Sequence, residues 1–184
     1  MKFISSVVLF FCALSIAHAS TILIDFEDVT PQSAQGFIEV ESKGFSFAAS
    51  TYLAGGPPEA WVGSGGIGAY GDCFAWGEGC GAQVTMESIN GGAFAIHSIG
   101  YFDGDFGGTL AGGGAADLSA PIGTGDWLNL EFFIVSNYCG FAPCGEYSAG
   151  LDDITVSAVP VPAAVWLFGS ALAGLGWIRR KQLK

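Results

Sequence analysis

Trp127 to Val135 reads WLNLEFFIV and is the clearest strand in the chain. Its alternation puts Leu128, Leu130, Phe132 and Ile134 on one face and Trp127, Asn129, Glu131 and Phe133 on the other. The second face is itself partly apolar, which suits a strand with neighbours on both sides. Shorter versions of the pattern lie to either side. They are Thr21 to Glu27, Phe37 to Glu41, Phe45 to Ala49, Gln83 to Ile89, Phe94 to Tyr101 and Leu151 to Ser157. Ser42-Lys43-Gly44 and Asn90-Gly91-Gly92 are turn signals between them. Ala54 to Gly81 is mostly glycine, proline and aromatics, and reads as loops with short strands near Trp61 and Ile67 to Tyr70. Asp103 to Gly114 is glycine-rich again. No window outside the two ends has a helical period. About seven to nine short strands with turn chemistry between them predict an all-β fold, an antiparallel β-sandwich of jelly-roll-like type.

The two ends differ from this body. Met1 to Ala19 has a basic Lys2, an apolar run from Phe3 to Ile16, and Ala17-His18-Ala19. That is the pattern of a secretory signal peptide with cleavage after Ala19. Phe11 stands before Cys12 where lipidation needs a small residue, so Cys12 reads as part of the apolar run. The domain expected to remain is residues 20–158. The tail, residues 159–184, reads VPVPAAVWLFGSALAGLGWIRRKQLK. Ala163 to Ile178 holds no charge, and as a helix it rises about 24 Å, or about 30 Å counted from Val159. Pro160 and Pro162 sit where a helix can begin. Arg179, Arg180 and Lys181 follow at once, with the rest of the basic end running to Lys184, and positive charge beside a span stays cytoplasmic. The physics predicts a single transmembrane helix with the body outside. Small residues four apart, Gly169 with Ala173 and Ser170 with Gly174, would let that helix pack closely against another.

A plain single-pass anchor satisfies these features. The order of Val159-Pro160-Val161-Pro162, short apolar helix and terminal Arg179-Arg180-Lys181 also resembles the PEP-CTERM sorting signal of Gram-negative bacteria, in its variant form opening Val-Pro-x-Pro. The resemblance covers only the tail. It implies recognition by an exosortase-type processing enzyme, membrane attachment through the tail before processing, and delivery to the cell surface or an exopolysaccharide matrix. On that reading the protein is expected to be a structural, biofilm-associated one, and the scarcity of catalytic motifs in the body points away from an enzyme.

All 17 acidic residues lie in the body, with Lys43 as its single Lys or Arg. A phosphate backbone needs Lys and Arg, so nucleic-acid binding is excluded as a role. An acidic exterior fits cation binding or neutral polysaccharide. Cys73, Cys80, Cys139 and Cys144 form an even set in an exported chain, which predicts disulfides. Three pairings exist. The local ones, Cys73–Cys80 and Cys139–Cys144, are favoured because each closes a short glycine-containing loop, worth about 2–3 kcal/mol. Neither spacing is C-x-x-C, which argues against zinc.

Chemical motifs are few. His97 is the single histidine of the body and lies within a strand. Gly63 to Gly68 matches G-x-G-x-x-G, but no helix follows to receive a pyrophosphate. Calcium is the metal to expect: Asp25, Glu27 and Asp28 lie at the first strand, Asp152 and Asp153 at the last, and terminal strands that run side by side would gather their oxygens. The arrangement resembles carbohydrate-binding jelly rolls with a structural calcium. Asp103-Gly104-Asp105 is a second, lesser acidic loop. Trp61, Tyr70 and Trp76, with Tyr52 and Tyr138, are loop aromatics suited to stacking on sugar rings. The alternatives to a structural protein are therefore a carbohydrate-binding module and, less favoured, a secreted hydrolase using paired carboxylates.

Overall fold

The structure, a computed structural model, describes residues 20–52, 59–63, 65–73, 80–139 and 145–159. The signal-peptide reading of residues 1–19 and the tail reading beyond Val159 fall outside them. No helix among the described residues is long and apolar enough to cross a membrane.

The protein is all-β and antiparallel. Its strands are β1 Thr21–Ile24, β2 Gln32–Gln35, β3 Phe37–Ser42, β4 Phe45–Tyr52, β5 Glu59–Gly63, β6 Gly66–Cys73, β7 Cys80–Ser88, β8 Phe94–Asp103, β9 Asp105–Leu110, β10 Leu130–Cys139 and β11 Gly145–Ala158. They form one sheet in the order β2-β5-β6-β11-β8-β10-β7-β4-β3, with β1 added to β11 and β9 to β10. The sheet curls until it is nearly closed and barrel-like. β8 and β10 meet through a single pair, Leu130 with Phe94, and β11 faces β7 across the interior. Removing the inward apolar faces from water drives this closure.

The β3–β4 hairpin shows how sequence becomes structure. Ile38 and Val40 are buried while Phe37, Glu39 and Glu41 are exposed. Lys43 and Gly44 make the turn with φ of +48° and +89°, and two positive φ values match the twist of the flanking strands. Lys43 Nζ then reaches back to Leu23 O at 2.9 Å and Asp25 Oδ1 at 2.5 Å, which ties the turn to the end of β1.

Two expectations change. The glycine-rich 103–114 stretch contains a strand, β9, which pairs with β10 from Asp105 to Leu110. The WLNLEFFIV alternation is also interrupted. Trp127 lies in a 3-10 turn, Gly125–Leu128, and the strand begins only at Leu130. A register shift between Leu130 and Phe132 then inserts one residue, so Leu130, Phe133 and Val135 are buried and Phe132 and Ile134 lie on the outer face. Trp127 is fully buried, its Nε1 donating to Ala120 O at 3.0 Å and its ring set edge-on to Phe106.

The bulge makes neighbouring phenylalanines unequal. Phe133→Ala should cost about 3–5 kcal/mol of unfolding free energy, as for other large-to-Ala core truncations. Phe132→Ala should cost less than half as much. Denaturant unfolding of both variants checks the order, and uninterrupted alternation would reverse it.

Candidate functional site

The outer face of the β2-β5-β6-β11-β8 half carries a surface cleft lined by aromatic and polar side chains. Strand register builds it row by row. One row runs Glu59, Tyr70, Ser148 across β5, β6 and β11. The next runs Trp61, Gly68, Gly150, Asp103, reaching β8. Tyr101 stands opposite Asp152 one row further on this face. Alternation explains the placement: Ala60, Ala69, Ala149 and Leu151 point inward, so their neighbours point out.

The second row has two glycines at its centre; Gly150 lines a cleft of about 300 Å³, and Gly68 lies beneath the Trp61 ring beside it. The Trp61 indole lies over Gly68, where an added Cβ would come within 2.7 Å of Cζ2. Tyr101 approaches from the opposite side, 3.4 Å from where a Gly150 Cβ would sit. Trp61 and Tyr70 are half-buried and Tyr101 is 52% exposed. Glu59, Asp103 and Ser148 supply the polar lining, and the Ser148 hydroxyl donates to Asp103 Oδ2. The result is a trough with flat aromatic walls, a backbone floor and oxygen acceptors at its rim. Such a surface offers apolar stacking and hydrogen bonds to one ligand at once.

Of the aromatics expected to stack on sugar, Trp61 and Tyr70 meet here. Tyr138 is on β10, on the other half of the sheet and 62% exposed. Trp76 lies outside the described residues, as does the Tyr52 side chain. Sequence reasoning missed Tyr101, Asp103 and Ser148 as partners. Their signal was outward parity on β8 and β11, readable only once those strands are known to be neighbours.

The terminal strands do run side by side. β1 pairs with β11, Ile24 opposite Ile154. Three of the carboxylates there, Asp25, Asp28 and Asp152, have protein partners. Asp25 binds Lys43, Asp28 accepts from Ser42 Oγ at 2.6 Å and the Lys43 N–H at 3.2 Å, and Asp152 accepts from the Asp153 N–H at 2.8 Å. Among the described residues no group of three or more His, Cys, Asp or Glu is arranged to hold a metal ion. Burial raises Asp152 above the ordinary carboxyl range, with Asp153, Asp25 and Glu27 adding repulsion. Lys43 lowers Asp25, and the Ser42 hydroxyl lowers Asp28.

His97 Nε2 is 2.8 Å from Ser157 Oγ. Nucleophilic catalysis needs the base oriented by a third group. Among the described residues no hydrogen bond brings a carboxylate to His97. Gly63 and Gly66 of the glycine motif pair directly, joining β5 to β6 as a hairpin. Of the cysteines, Cys73, Cys80 and Cys139 end or begin strands, their side chains outside the described set, and Cys144 is wholly outside it.

No family model matches this chain, and no curated protein or solved structure does.

A carboxyl held low in the folded state stabilises the fold above its unfolded pKa, and that contribution is lost as pH falls through the folded value. Asp28 is such a group, and its hydroxyl partner Ser42 is buried at 1% exposure. The native protein should therefore lose stability as pH drops below about 4. Asp28→Asn should flatten that slope in denaturant unfolding measured across pH, and an unchanged slope would show that Asp28 takes no part.

Proposed function

We infer that this chain is an exported, non-enzymatic carbohydrate-binding protein of jelly-roll-like sandwich architecture, taken by its tail to the cell surface or exopolysaccharide matrix of a Gram-negative bacterium. The observation that carries the binding reading is the trough lined by Trp61, Tyr70 and Tyr101 beside Gly150. Sugar rings present apolar C–H faces edged by hydroxyls. The indole and phenol rings suit the faces, and Glu59, Asp103 and Ser148 suit the hydroxyls. A body with one Lys against 17 acids repels anionic polymers, so the ligand is a neutral polysaccharide.

Trp61→Ala and Tyr101→Ala should each weaken binding to a neutral polysaccharide by about tenfold, the loss of roughly 1.4 kcal/mol of stacking. Tyr138→Ala should leave it unchanged. Affinity electrophoresis or calorimetry reads the difference. Full binding by the Trp61/Tyr101 double variant would exclude the trough, and release of reducing sugar would favour the hydrolase reading.

The sorting part rests on the order Val159-Pro160-Val161-Pro162, apolar span, Arg179-Arg180-Lys181. Intact mass of protein released from its native host should lack residues 1–19 and the segment after about Val159. A membrane-held form keeping Ala163 to Lys184, with nothing released, would mean a plain anchor instead.

A further inference from the structure

We propose that Cys80 and Cys139 form a cross-strand disulfide that staples β7 to β10. β7 and β10 pair antiparallel from Glu87 with Phe132 to Cys80 with Cys139, so the two cysteines stand directly opposite at the end of the ladder. Opposed residues of an antiparallel pair have Cα atoms about 4.5–5.5 Å apart. A disulfide needs Cα atoms about 4.4–6.8 Å apart, a window that a directly opposed pair meets. Both positions fall on the sheet face that carries Ala82, Val84 and Val135, the buried side.

Loop length favours the local partner, Cys73. That residue ends β6, which pairs with β5 and β11 and not with β7, and its own register partner is Gly145. The ladder thus gives Cys80 a facing cysteine on another strand, which spacing along the sequence does not reveal.

Formation is a two-electron oxidation. The two thiols lose two protons and two electrons as the sulfur–sulfur bond forms. The electrons pass by thiol–disulfide exchange to a disulfide-bearing oxidant, which leaves as its dithiol.

The test is a non-reduced peptide map of the full chain, exported to an oxidising compartment and alkylated before digestion. Cleavage after Glu separates Cys80 on residues 79–87 from Cys73 on 60–78 and from Cys139 and Cys144 on 132–146. Fragment spectra should place a bond between Cys80 and Cys139. In the Cys73→Ser/Cys144→Ser variant, 79–87 should remain joined to 132–146. Cys80 joined to Cys73 or Cys144 in the native protein would overturn the proposal, as would alkylated Cys80 and Cys139 in the native protein or the variant.

Discussion

Every backbone N–H and C=O of a buried strand needs a partner, and β11 is where that requirement organises the fold. Gly145–Ala158 is the longest strand of the sheet. Its first half is flanked on one edge by β6 and its second half by β1, while β8 runs along the other edge from Gly150 to Ala158. Strands from the beginning, middle and end of the body therefore close on one segment. Tyr147, Ala149, Leu151, Ile154 and Val156 send its inward face into the core. Losing β11 would orphan three ladders at once, which no loop or cap could replace.

The same strand sets out the trough. Because β6 and β8 pair with opposite edges of β11, residues distant in sequence fall into straight rows. Trp61 and Asp103 come to the two ends of one row through Gly68 and Gly150. Gly68 is required by space: a Cβ there would collide with the Trp61 ring. Packing below and the aromatic surface above thus share one backbone. Inward alanines and leucine hold the strands, and the outward rings use the flat surface that results.

Much of the fold is legible in sequence where side chains alternate and turn chemistry marks the ends. The β3–β4 hairpin and β7 follow from residues that bury alternate side chains, whereas β8 buries Phe94, Ala95 and Ile96 in a row; the first and last strands, β1 and β11, lie side by side. Other elements are not legible because their cause is non-local. β9 reads DFGGTL, whose glycines suppress the alternation signal, yet Gly108 is needed since a Cβ there would press on Phe132 O of β10. β2, QSAQ, is wholly exposed and exists through its ladder to β5. The bulge after Leu130 inverts the faces of the most regular stretch in the chain, and nothing local announces it. Trp61 and Tyr70 could be named as candidate stacking residues by type alone. Tyr101 could not, because its membership depends on which strand lies beside β11.

The central claim is that this outer face, and no other, receives a neutral glycan. The most direct measurement is an NMR titration of the isotope-labelled protein with a neutral oligosaccharide. The account predicts that the Trp61 indole N–H and the Gly68, Gly150 and Tyr101 amides shift together and saturate with one affinity. Shifts centred on Tyr138 and the β10 surface, or none at saturating sugar, would contradict it.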